Sequence, residues 1–161
     1  MWKHPYRIAV LTASDRCAAG TCTDESGPLI VRRMQDLGAE ITARELLPDD
    51  QELLAQCLAQ WCDTGIADLI LTTGGTGLSP RDQMPEATLQ IAHRMVPGIP
   101  EAMRAHSMRI TPKGMLSRGT AVIRAHSLII NLPGSPKAAS ENLDAILPPL
   151  EHALEILTAG P

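Results

Sequence analysis

A chain of 161 residues with 44% apolar side chains is long enough to bury a core as one domain over residues 1–161, and that composition argues against disorder. It holds no Phe, two Trp and one Tyr, so the core must be built from Leu, Ile, Val, Ala and Met, and aromatic platforms for stacking single-stranded nucleic acid are missing. A formal charge of −4 gives no general attraction to phosphate backbones, so no nucleic-acid partner is expected and any phosphorylated ligand must be held by local geometry.

In chain order, Arg7–Thr12 is a short apolar run that opens as a strand. Ser26, Gly27 and Pro28 start a helix, with Ser26 as its N-cap, that runs to Leu37 and stops at Gly38. Ala39–Leu46 suits a less buried strand. Asp49 or Asp50 caps the next helix, with Leu53, Leu54, Cys57, Leu58 and Trp61 on one stripe. Asp68–Thr73 is a strand of the kind buried between helix layers. Pro85 opens a helix to about His93, and another follows Gly98. Thr120–Ile123 and Ser127–Leu132 are strands, and a closing helix from Lys137 should be kinked or divided by Pro148 and Pro149. Strands alternating with helices predict an α/β fold: a doubly wound, mainly parallel sheet with helices on both faces.

No apolar run reaches the length of a membrane span, and Met1–Pro5 does not read as a signal peptide, so a soluble, cytoplasmic protein with no membrane partner is expected. Cys17, Cys22, Cys57 and Cys62 lack zinc-knuckle spacing and are expected to be reduced thiols with packing roles. The five histidines form no ligand spacing and are expected on the surface or in structural roles.

Ligands in such sheets bind beyond the carboxyl ends of the strands, so the turns there decide function. Thr72–Gly77 (TTGGTG) follows the most apolar strand. Its glycines permit positive φ and close approach of backbone N–H groups to an anion, and its threonines add donors. It is neither a P-loop nor G-x-G-x-x-G, which counts against a nicotinamide-dependent oxidoreductase. Asn131–Lys137 (NLPGSPK) follows another apolar strand and leads into a helix N-terminus, with Lys137 as a point charge suited to phosphate. The two loops should lie side by side. Acidic residues punctuate the same turns: Asp15 after Ser14, then Asp49 and Asp50, then Asp82. Mg²⁺ between such carboxylates and substrate phosphates would turn their repulsion into attraction, while helix capping is the simpler role, above all for Asp50. Arg118 could face an anion; Arg124 reads as an ordinary surface arginine.

Leu71–Thr88 (LTTGGTGLSPRDQMPEAT) and Leu128–Lys137 (LIINLPGSPK), with Leu47-Pro48-Asp49, Arg7–Asp15 and Asp24–Pro28, resemble the molybdenum cofactor biosynthesis family. That family includes the bacterial molybdopterin adenylyltransferases, MoaB-type relatives and a domain of gephyrin. The resemblance runs from about Arg7 to Leu157. It implies transfer of AMP from ATP to the terminal phosphate of molybdopterin, with pyrophosphate released and Mg²⁺ required. It also implies a homotrimer or hexamer, and the molybdenum-insertion enzyme as a partner. By motif, Asp49 and Asp82 become the catalytic and metal-binding pair. Ser14, Thr73, Gly74, Gly75, Thr76, Gly77, Arg81, Gly134, Ser135 and Lys137 become substrate-binding residues, with the division between nucleotide and pterin open. Active members usually carry threonine where this chain has Met84, after Gln83, a spelling closer to the MoaB type. The alternative is therefore a weakly active or non-catalytic pterin carrier of the same fold.

Overall fold

A computed structural model describes residues 1–160. Six strands form one sheet, ordered β2-β1-β3-β6-β5-β4. They are β1 (Arg7–Ala13), β2 (Glu40–Leu47), β3 (Leu69–Thr73), β4 (Arg94–Met95), β5 (Ala121–Arg124) and β6 (Ser127–Leu132). The first three and β6 run parallel; β5 is antiparallel to β6, and β4, antiparallel to β5, restores the common direction at the far edge. The helices are α1 (Asp15–Ala18), α2 (Ser26–Asp36), α3 (Gln51–Asp63), α4 (Met84–Gln90), α5 (Gly98–Ile110) and α6 (Pro136–Thr158), with a 3₁₀ turn at Pro112–Leu116.

Alternation along each strand assigns the two faces. Ile8 and Val10 of β1 pack with Ile30 and Met34 of α2 and with Leu143 and Ile146 of α6. Ala9 and Leu11 pack with Leu54, Leu58 and Trp61 of α3 and with Met84 and Ala87 of α4. Both faces are covered, which is why β3 and β6 are buried along their whole length. Edge strand β2 is only half-buried, as its mixed sequence required.

Several local expectations change. Glu25, not Ser26, stands at the N-cap of α2, and the Asp24 carboxylate accepts from Gly27 N at 3.0 Å, freeing the Ser26 hydroxyl. The next helix is capped by Asp50, which accepts from Leu53 N at 3.0 Å. Leu53 itself turns 44% exposed. The two prolines do not divide α6, which continues as one helix of 23 residues. The cysteines divide into two kinds: Cys17 and Cys22 form a disulfide, correcting the expectation of four thiols, while Cys57 and Cys62 are free. The bend of the short α1 and the turn after it bring the Cys17 and Cys22 Cα atoms within 4.6 Å, inside the range a disulfide spans. Burial pushes both free thiols up to about 11, away from reactivity.

Register positions the site. Ala13 pairs with Leu47, Thr12 with Thr73, and Thr73 with Leu132. The four parallel strands therefore end level. Ser14, Asp49, Gly74 and Gly134 all emerge from one edge, and β1 and β3 flank the point where strand order reverses.

Candidate functional site

The glycine turns meet across that edge. Gly74 has φ +90°, and a Cβ there would fall 2.2 Å from the Ala13 carbonyl oxygen. A Cβ on Gly134 would come within 3.3 Å of Gly74 Cα. The Thr73 hydroxyl donates to Pro133 O at 2.7 Å and the Ser26 hydroxyl to Gly134 O at 2.5 Å. The two loops are thus side by side, as expected of turns after neighbouring strands.

Between them and the segment after β1 opens a hollow of about 250 Å³. Ser14, Thr73, Gly74 and Gly134 line it, together with Thr12, Cys17, Asp24, Ser26 and Pro136. The N-termini of α2 and α6 both reach it, so the positive ends of two helices face the hollow, with Gly27 N already bonded to Asp24 and Ala138 N to Ser135. Ser14 and Ser135 already serve as caps, accepting from Cys17 N and Ala138 N. Lys137 does not enter the hollow; its side chain is 82% exposed beside Glu141. A wider, mainly apolar hollow of about 390 Å³, between β5 and the end of α6, includes Ile123, Leu128 and Leu157 and lies outside this constellation.

On the other flank of Gly74 sits the acidic cluster. Asp49 and Asp15 bond reciprocally: Asp15 N donates to Asp49 Oδ2 at 2.9 Å, and Asp49 N to Asp15 Oδ1 at 3.0 Å. Arg81 grips Asp15 with two bonds of 2.9 Å. Asp49 is buried, and its Oδ1 is shielded from solvent without a hydrogen-bond partner. The same oxygen lies 3.1 Å from where a Cβ on Gly75 would be. Burial raises the Asp49 carboxyl above the ordinary range, with Asp15 and Asp82 pushing the same way, although the Asp15 N–H opposes it. The Arg81 guanidinium holds Asp15 below that range. Asp82 does not cap α4; its Oδ2 accepts from Ser79 N at 2.9 Å and lies 2.8 Å from a Cβ position on Gly77. Gly75 and Gly77 therefore give the two carboxylates room.

Met84 is fully buried in the core, and its N–H donates to Gly75 O at 3.1 Å. The departure from threonine there falls on a packing position beneath the glycine loop. Sequence reasoning passed over Asp24, which accepts from Thr12 Oγ1 at 2.8 Å and from Arg44 at 3.3 Å on the wall of the hollow. The signal was an Asp three residues before Gly27, the spacing of a helix cap.

Taken together this is a doubly wound α/β domain with a cleft between two glycine turns and, beside it, an acidic cluster built on the buried Asp49 at the switch point. The family model described as "Probable molybdopterin binding domain" matches residues 9–152, and the chain belongs to that family. Molybdopterin adenylyltransferase of Helicobacter pylori is 40% identical over 93% of this chain and 86% of its own length. That of Escherichia coli is 39% identical over 87% and 73%. Gephyrin of Dictyostelium discoideum is 43% identical over 96% of this chain, which spans 23% of gephyrin's length. The crystal structure of the molybdopterin biosynthesis enzyme MoaB from Thermus thermophilus superposes with a TM-score of 0.91, at 46% identity, over 97% of this chain and 98% of that one.

Proposed function

We propose that the chain, as one domain over residues 1–161, transfers AMP from ATP to the terminal phosphate of molybdopterin, releasing pyrophosphate. The observation that carries this reading is the unpartnered, buried Oδ1 of Asp49 beside the glycine loop, an acceptor in need of a positive charge. The donor set suits Mg²⁺, which takes one or two carboxylates plus phosphate oxygens; among the described residues no cluster of three or more potential ligands offers an all-protein cage. Asp49 and Asp82 would hold the ion, which supplies charge neutralisation on the phosphates.

The protein's own part is positioning. The backbone of Gly74–Gly77 and the Gly134-Ser135 turn present N–H groups to phosphate oxygens, with Ser14, Thr73 and Thr76 at their margins. Arg81, largely exposed beside Asp15, and exposed Lys137 meet the ligand from the solvent side of the cleft. In-line transfer at phosphorus needs alignment and charge compensation more than a covalent residue. Met84 packs in the core beneath the glycine loop while Asp49, Arg81 and Asp82 are all retained, and this supports the active reading over the carrier reading.

The protein works as a homotrimer or hexamer in the cytoplasm and passes its product to the molybdenum-insertion enzyme. The oligomer is supported by exposed Met95, Met108 and Ile110 and by the apolar hollow with Val96 and Ile99; Met103, by contrast, fills the core. No helix among the described residues is long and apolar enough to cross a membrane. The test is pyrophosphate release with ATP, Mg²⁺ and molybdopterin, beside light scattering at micromolar protein. Tight pterin binding without pyrophosphate would establish the carrier instead, and a mass of one 17.3 kDa chain would overturn the oligomer.

A further inference from the structure

The segment between the 3₁₀ turn and β5 crosses beneath the glycine loop, and one residue hands three bonds to the loop and a fourth to α4. Arg118 N donates to Thr76 O at 2.9 Å, Nε to Gly77 O at 2.7 Å and Nη2 to Asp82 O at 2.7 Å, while Nη1 pairs with Glu86 at the start of α4. With its charge matched by Glu86 and its fork turned to carbonyls, this guanidinium is committed to the protein itself. The anion-facing role open to it in the sequence is not the one it has.

Beside Arg118, the loop's one side-chain tie to another part of the fold among the described residues is Arg81, which grips Asp15 after β1 from the loop's far side. Ser79 N bonds Asp82 Oδ2, Asp82 N bonds Ser79 O, and Met84 N bonds Gly75 O. These close the turn on itself and tie its two ends. The arc through Thr76 and Gly77 leaves the sheet, and its carbonyls at 76, 77 and 82 take their hydrogen bonds from Arg118. Resting on the reading of the site given above, we propose that Arg118 is a positioning residue that sets the height of the glycine loop and the aim of Asp82 without touching substrate. Misplacing reacting groups by about 1 Å costs on the order of 10²-fold in rate, so the role has a measurable size.

Arg118→Lys keeps the charge beside Glu86 but replaces the planar fork by one nitrogen, which cannot serve Gly77 and Asp82 together. Arg124→Lys is the control: Arg124 grips Asp63 and Ile91 O in the same manner, away from the cleft. Each variant is measured for kcat, KM for ATP, thermal midpoint and amide hydrogen exchange. Arg118→Lys is expected to lower kcat by roughly 30- to 100-fold with KM within about threefold, and to speed exchange across residues 75–83 by about tenfold. Arg124→Lys should change the thermal midpoint alone. Arg118→Gln passes through the same measurements if lysine prevents folding. Wild-type kcat and wild-type exchange in the Arg118 variant would overturn the proposal, as would equal losses in both variants. If the wild-type chain releases no pyrophosphate, the transfer reading falls; loop exchange and the affinity for Mg²⁺–ATP then decide the positioning role by themselves.

Discussion

Asp49→Asn should stabilise the protein while removing its activity. In the ligand-free chain the Asp49 carboxylate is buried with one oxygen bonded to Asp15 N and the other unpartnered, beside Asp15 and Asp82. Asparagine can keep the bond from Asp15 N through its own oxygen and discards a charge that burial disfavours. An unmet buried polar group costs about 1–3 kcal/mol, and more when charged, so removing the charge should return on the order of 1 kcal/mol. For a chain of this size that is a rise in thermal midpoint of about 2–4 °C. The pH dependence follows the same sign. A carboxyl raised in the fold binds its proton more tightly there than in the unfolded chain. Its stabilising contribution is complete below the unfolded value near 3.8 and is lost as pH rises through the folded value, so the variant's advantage over wild type grows across that window and then levels off. Turnover should fall by about 10²-fold or more for want of one preorganised electrostatic contact. Denaturation across the acidic to neutral range and pyrophosphate release on one preparation give both numbers. A variant that melts earlier and turns over normally would make Asp49 a tie between two loops and refute the metal-site reasoning.

Asp82→Asn should leave stability nearly unchanged, since its oxygen can still accept from Ser79 N, yet lower pyrophosphate release by about 10²-fold with pterin affinity retained; calorimetric titration and turnover check both. Gly74→Ala places a Cβ 2.2 Å from the Ala13 carbonyl at φ +90°, so the loop must shift; a loss of about 1–3 kcal/mol in urea denaturation is expected, together with weaker ligand binding. Reducing Cys17–Cys22 should lower the thermal midpoint without unfolding the chain, because a ring this small restrains the unfolded state by only about 2 kcal/mol; melts with and without a dithiol, followed by thiol alkylation, measure it.

The parts legible in the sequence were those set by local chemistry. Largely apolar β3 and β6 announced buried parallel strands, the glycine run after β3 announced a tight turn needing positive φ, and Gly134 after β6 announced a close approach. What stayed hidden depended on distant partners. The two-residue β4 exists because it pairs with β5, and its own side chains are exposed. Asp82 sat near enough to Pro85 to pass for a cap, and only the turn through Ser79 shows otherwise. The cysteine expectation failed because spacing was weighed against metal sites and redox compartment, while the pair is made by the chain's bend through α1. Arg118 and Glu86 are 32 residues apart, and nothing near either residue names the other.

The paired prolines of α6 have a consequence at the helix's opposite end. Pro148 and Pro149 carry no N–H, so the carbonyls of Asp144 and Ala145 lose their usual partners four residues on, and the ladder has a two-rung gap in its middle. Cooperative zipping cannot pass such a gap intact, so unwinding that begins at Thr158 loses its coupling before it reaches the first turns. Ser135, Pro136 and the helix end that faces the cleft are thereby insulated from the fraying of the chain's tail.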